Sequence, residues 1–192
     1  MKIGLVRHFK VMKGYPSASL TQEWLFQWIQ EYDSSDIEGK EVNFKGTTWD
    51  RCFSSDLYRA EKTARQIYKG DIDIMEELRE IPIYPLFKRN VKMPFPLWML
   101  LIRLSWMVNH KSQLEKKVDV INRIEYVVKK AMENEEENIL IVSHGALMIY
   151  IQKYLVKKMV LVVLKLLGRK MAFFIFLRNL EVPKTYIDFV AL

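Results

Sequence analysis

The stretch Asn138-Ile139-Leu140-Ile141-Val142-Ser143-His144-Gly145 passes from a short apolar run to Ser-His-Gly, and a helical pattern, Ala146 to Tyr154, begins at once. Ile139 to Val142 is too short for a helix and apolar on both faces, so it predicts a buried strand. Such a strand needs cover on each side, which a parallel sheet between two layers of helices provides. The same passage occurs at the N-terminus, where Lys2 to Val6 predicts a strand that stops at Arg7-His8. It occurs again at Arg51-Cys52-Phe53-Ser54, after which Ser55 or Asp56 is placed to cap a helix running through Arg59 to about Tyr68, with Gly70 as its stop.

Around these units, Leu20, Trp24, Leu25, Trp28, Ile29 and Tyr32 recur at helical spacing, Ile72 to Met75 predicts a short strand, and Leu114 to Met132 predicts a long helix. Met171 to Leu177 and Tyr186 to Val190 predict two final strands. Four prolines lie between Pro82 and Pro96, and the aromatic stretch Leu97 to Trp106 follows them. Residues 82–111 therefore read as a small helical lid inserted into one domain spanning 1–192. Strands alternating with helices predict an α/β fold, a mostly parallel sheet with helices on both faces. Ligands of such sheets bind beyond the carboxyl ends of the strands, where Arg7-His8, Ser54-Ser55 and Ser143-His144-Gly145 all fall.

Composition narrows the function classes. Half of the 192 residues are apolar and Gly and Pro together number 13, which excludes a disordered chain or a collagen-like repeat. The net charge of +7 suits an anionic partner without naming it. The single cysteine, Cys52, excludes an intramolecular disulfide and a Cys-based zinc cluster. Met1 to Val6 is too weakly apolar for a signal-peptide core, which predicts a cytoplasmic protein. The apolar stretches Leu97 to Val108 and Met159 to Leu167 fall short of the roughly 18–20 residues of a bilayer-spanning helix, so no spanning segment is expected.

The rim gathers Arg7, His8, Arg59, Glu80 and His144. Arginine offers a planar fork of donors that matches phosphate oxygens, and Arg59 falls in the first turn of a helix, whose N-terminus already favours an anion. An imidazole can attack phosphorus to form a covalent intermediate, and a carboxylic acid can protonate the departing alkoxide.

The chain here resembles the histidine phosphatase superfamily, also called phosphoglycerate-mutase-like. The matching residues are Leu5-Val6-Arg7-His8, Phe53-Ser54-Ser55-Asp56-Leu57-Tyr58-Arg59-Ala60-Glu61-Lys62-Thr63-Ala64, Glu77-Leu78-Arg79-Glu80-Ile81 and Val142-Ser143-His144-Gly145. The resemblance implies that His8 is the phosphate-accepting nucleophile, that Arg7, Arg59 and His144 hold the phosphoryl group, and that Glu80 donates the proton. It also implies no metal and no cofactor, and a small phosphorylated substrate rather than nucleic acid. Hydrolysis through a phosphohistidine is the expected reaction. Phosphoryl transfer of the mutase type and a non-catalytic phosphate-binding module with the same fold are the alternatives. Natural substrate and oligomeric state are left open.

The first motif departs from the family pattern. Phe9 stands where the family usually has Gly, and Lys10, Val11 and Gly14 replace its acidic or amide residue, Thr and Asn. Either Phe9 keeps an ordinary negative φ and forms an apolar wall narrowing the pocket mouth, or the phosphate pocket is impaired. Two further expectations follow: Trp98 of the lid contacts the non-phosphate part of the substrate, and turnover falls within about pH 5–8 as His8 protonates.

Overall fold

The computed structural model describes residues 2–44, 46–87, 89–134, 137–158, 161–165, 173–177 and 185–190. Strand β1 (Ile3–Arg7) is followed by β2 (Ser19–Thr21), α1 (Gln22–Ser34), β3 (Arg51–Ser55), α2 (Tyr58–Ile67) and β4 (Ile72–Met75). After a 3-10 turn at Glu76–Leu78 come β5 (Lys92–Pro94), α3 (Phe95–Met107), α4 (Lys117–Ala131), β6 (Ile139–Ser143) and α5 (Gly145–Lys158). The last strands are β7 (Leu161–Lys165), β8 (Phe173–Leu177) and β9 (Thr185–Val190). The main sheet has the order β4-β3-β6-β1-β9-β8-β7. It is parallel from β4 to β9 and antiparallel at β8 and β7.

The alternation of side chains along each strand divides the core into two layers. Ile3, Leu5, Phe53, Ile139 and Ile141 pack with Val120, Ile124 and Val127 of α4 and with Leu147 and Ile151 of α5. The intervening residues, Val6, Cys52, Leu140 and Val142, pack with Ala60 and Ala64 of α2. The expected cover on both faces is present. Cys52 lies inside this second layer, and burial, aided by Asp73, pushes its thiol up to about 12, so it is a packing residue.

The register positions the rim. Arg7 of β1 pairs with Ser143 of β6, and Ser54 of β3 pairs with Val142 of the same strand. Because β6 lies between β3 and β1, His8 reaches the level of His144, and Ser55 on the other side lies one residue short of it, at the level of Ser143. The His8 N–H extends the ladder by one bond, donating to the Ser143 carbonyl at 3.0 Å.

Four local expectations are corrected. The N-cap of α2 is Leu57, not Ser55 or Asp56. The Ser55 hydroxyl is taken by His144 and the Leu57 N–H, while Asp56 holds Arg79. The helix ends at Tyr68, which turns extended before Gly70 is reached. Trp98 is fully buried in a cluster with Leu25 and Ile102, its indole N–H donating to the Leu20 carbonyl at 2.9 Å. It cannot touch a substrate there. Residues 82–111 also supply β5, which pairs antiparallel with β2, a ribbon that the sequence reading did not contain.

The fourth correction concerns Phe9. Asn109 is the one non-glycine with positive φ among the described residues, so Phe9 has the expected ordinary backbone. Its ring, however, is only 1% exposed and packs with Val11, Ile37, Tyr32, Val42 and Ile67. The ring is core, not a wall of the pocket mouth. Phe9→Ala is therefore expected to destabilise the fold by about 3–5 kcal/mol, the range for removing a buried aromatic ring. Urea unfolding measures it, and a loss below about 1 kcal/mol would contradict this packing.

Candidate active site

The His8 ring sits where β1 ends, and its Nδ1 lies 2.7 Å from the carbonyl oxygen of Phe9. A carbonyl only accepts, so Nδ1 carries the proton and Nε2 keeps its lone pair. The peptide of Phe9 is itself fixed: its N–H donates to the Thr63 hydroxyl at 2.9 Å, and that hydroxyl donates to the Arg59 carbonyl at 2.6 Å. Thr63 and Arg59, one turn apart on α2, thus tie the first loop to the second motif. The ring of His144 lies 5.1 Å from that of His8, centroid to centroid, with 53° between planes. Its Nε2 is 2.9 Å from the Ser55 hydroxyl, at the end of β3.

Two arginines flank the pair. Arg7 lies across the start of α5, where a Cβ on Gly145 would stand 3.4 Å from its guanidinium carbon. Arg59 is 5% exposed, bonds Asp33 through Nη1 at 2.5 Å, and lies over the Tyr32 ring at 5.5 Å. Burial first, and Tyr15 second, push the Tyr32 phenol up to about 12, so this ring remains neutral beside the arginine. Two buried nitrogens at the rim, Arg59 Nε and His144 Nδ1, have no hydrogen-bond partner in the protein. An unpaired buried polar atom costs about 1–3 kcal/mol, and an anion with several oxygens is a ligand that would satisfy both. A cleft of about 300 Å³ opens beside His8 and Arg7 and is bounded further out by Lys10, Lys13, Tyr15 and Tyr32. Residues 82–111 contribute nothing to its described lining, but Phe95 approaches it, its ring 5.6 Å from Tyr15.

Glu80 is held by its neighbours. Arg123 donates to the carbonyls of Glu77 and Arg79, and Ser143 Oγ donates to that of Leu78. With three successive carbonyls bound, the Glu80 carboxylate is directed to the N-terminus of α5, where it accepts the N–H groups of Ala146 and Leu147 at 3.0 Å each. It also accepts the Ile81 N–H at 2.9 Å. Glu80 is thus a helix cap next to His144, with both oxygens engaged.

Of the five residues singled out in the sequence, the structure brings the His8 and His144 rings together and sets Glu80 on the start of α5 just after His144, while Arg7 and His8, but not Arg59, Glu80 or His144, line the described cleft. Sequence reasoning missed Asp33, Tyr32, Tyr15 and the linking role of Thr63. Only Thr63 had a legible signal, its position one helical turn after Arg59.

The family model described as histidine phosphatase superfamily (branch 1) matches residues 40–163, which hold Arg59, Glu80 and His144 but not Arg7-His8. Among solved structures, the chain is similar to the alpha-ribazole phosphatase of Shigella flexneri at 22% identity, with 77% of this chain and 76% of that one covered and a TM-score of 0.47. It is similar to a phosphoserine phosphatase of Entamoeba histolytica in complex with phosphoserine at 17% identity, covering 90% and 89%, with a TM-score of 0.49. Phosphoglycerate mutase of Plasmodium falciparum is matched at 15% identity over 96% and 97%, with a TM-score of 0.38. No curated protein sequence matches the chain.

Burial, with Arg59 and Arg7 adding to it, pushes the His8 imidazole down from 6.5 to about 3, against the opposing pull of the Phe9 carbonyl. Burial, then Arg59, His8 and Arg7, hold His144 well below its ordinary value too. The His8 ring is therefore neutral through about pH 5–8, so the expected loss of turnover in that window from His8 protonation is corrected. The titration appears instead in stability. A histidine with a folded value below its unfolded one binds fewer protons when folded, so the native advantage is complete above 6.5 and is lost as pH falls toward about 3. Unfolding free energy is expected to fall with pH across that window, with a limiting slope of about 1.4 kcal/mol per pH unit for each histidine. His8→Asn should flatten the slope in urea titrations, and an equal slope in wild type and variant would contradict the burial argument.

Proposed function

The chain belongs to the histidine phosphatase superfamily, branch 1, and from that membership we propose that it is a phosphatase acting on a small phosphorylated metabolite through a phosphohistidine at His8. The observation that carries this reading is the Nδ1–H bond of His8 to the Phe9 carbonyl, which leaves a neutral ring with a free Nε2 lone pair beside two arginines. The Nε2 pair forms a bond to phosphorus as the phosphorus–oxygen ester bond breaks. Arg7 and Arg59 stabilise the charge on the phosphoryl oxygens, the work for which their fixed donors are suited. His144 contributes Nδ1, its one unpartnered polar atom.

Glu80 supplies a proton to the departing alkoxide. This requires Glu80 to enter the step as the protonated carboxylic acid and, since its carboxyl group caps α5 at rest, to turn from the helix toward the leaving oxygen. Water then attacks phosphorus, returning a proton to Glu80, and the nitrogen–phosphorus bond breaks to free inorganic phosphate and His8. Two arginines provide the positive charge that a metal would otherwise bring, so the proposed reaction uses none. The leaving group points along the cleft toward Tyr15 and Tyr32, and residues 82–111 border that end through Phe95.

The test is turnover of an aryl phosphate and a panel of sugar phosphates in the presence of a chelator. Wild type should be active, and His8→Ala should lose at least about 10³-fold, as expected for removing a nucleophile. Activity surviving in His8→Ala, or abolished by chelation, would overturn the mechanism. Absence of turnover with retained phosphate binding would instead establish a non-catalytic module on the same fold.

Glu80→Gln removes the acid while keeping part of the cap: the amide oxygen can still accept from Leu147 and Ile81, the Ala146 bond is lost, and the group has no acidic proton. It is expected to slow sugar phosphates by about 10²-fold or more while changing an aryl phosphate with a good leaving group little. Equal losses on both would assign Glu80 to capping alone.

A further inference from the structure

Helix α3 (Phe95–Met107) is apolar on both sides. Trp98, Ile102 and Trp106 face inward. Leu97, Leu100, Leu104 and Met107, spaced at three and four residues, form the opposite stripe. Val108, Leu114 and Val118, which follow in sequence, are apolar and exposed as well, and the seven residues are between 41% and 74% exposed. No polar side chain stands in the α3 stripe. A surface helix ordinarily turns charge to solvent, so an outward leucine stripe marks a surface that something covers.

The charges around the stripe select what covers it. From Leu86 to Lys117 there are seven basic residues and one acid, Glu115. That acid is occupied by Arg123 at 2.8 Å. Arg89, Lys92, Lys111, Lys116 and Lys117 are exposed, and among the described residues none of them forms an ion pair. Two copies of the chain meeting through this face would bring like charges together. Nucleic acid would meet leucine where it needs donors. Apolar side chains bordered by lysine and arginine fit one partner chemistry, the headgroup and acyl boundary of an anionic bilayer. Among the described residues no helix is long and apolar enough to cross a membrane, so α3 would lie in the plane of the surface.

We infer that α3 and its basic flanks dock this protein on anionic lipid surfaces. The test uses the full chain with vesicles of phosphatidylcholine alone or with about one third phosphatidylserine. Co-sedimentation is expected with the anionic vesicles, at least tenfold stronger than with neutral ones. It should weaken at least tenfold in Leu97→Ser/Leu100→Ser/Leu104→Ser, and again in Lys111→Ser/Lys116→Ser/Lys117→Ser. Binding lost in the lysine variant but unchanged in the leucine variant would overturn the proposal, since it would be adsorption of a cationic protein. Dimerisation abolished by the leucine substitutions, with no lipid binding, would replace the bilayer with a second copy. If the leucine variant does not fold, an environment-sensitive dye on Leu100→Cys decides, because Cys52 is buried and escapes labelling. A blue shift on anionic vesicles supports insertion, and an unchanged spectrum contradicts it.

Discussion

The bond between His8 Nδ1 and the carbonyl of Phe9 is the constraint on which the site depends. It fixes a tautomer, and the tautomer decides which nitrogen can act as a nucleophile. The carbonyl is rigid because its residue is held at both ends: the Phe9 N–H rests on Thr63, and the Phe9 ring is locked in the core with Val11 and Ile37. Phe in place of the family's usual glycine therefore does not open the loop or narrow the pocket. It anchors the residue that aims the imidazole.

The rest of the rim follows from sheet register. With β6 between β1 and β3, residues that leave the three strands within one residue of the same level must meet, whatever their separation in sequence. That is why Ser55, His8 and His144 converge although the chain separates the outermost by more than a hundred residues. The cost is a neutral imidazole pair with few solvent contacts beside two guanidinium groups, an arrangement made tolerable by the Asp33 carboxylate on Arg59 and by the Glu80 carboxylate on α5. Glu80 in turn depends on Arg123 and Ser143, which bind the carbonyls of the turn before it.

Much of this was legible beforehand. Ile139 to Val142 and Lys2 to Val6 read as buried strands because apolar runs of that length have no other stable use, and their polar stops marked the rim. The motif residues were legible by resemblance, since no composition or spacing rule separates Arg59 from an ordinary helix charge. What remained hidden were the side-chain destinations. Phe9 and Trp98 both read as pocket residues and both are core, because neither a loop position nor a helix that is apolar on both sides shows which way an aromatic ring packs. Asp33 was hidden because it lies in the last turn of α1, and its contact with Arg59 spans 26 residues of sequence. The β2–β5 ribbon has strands of only three residues, below what an alternating pattern can register.

The outer stripe of α3 belongs to a different layer of the design. On its inner side α3 joins the apolar cluster of Trp98 and Leu25, and among the described residues it meets the cleft through the ring contact of Phe95 with Tyr15, so the outer surface can be altered without moving the histidines. The central claim concerns the ring at the end of β1, and nitrogen-15 NMR of the histidine side chains tests it most directly. The account predicts that His8 carries its proton on Nδ1, with a bare Nε2 whose shift is unchanged between about pH 8 and pH 5. A proton on Nε2, or a ring that becomes doubly protonated within that range, would contradict it.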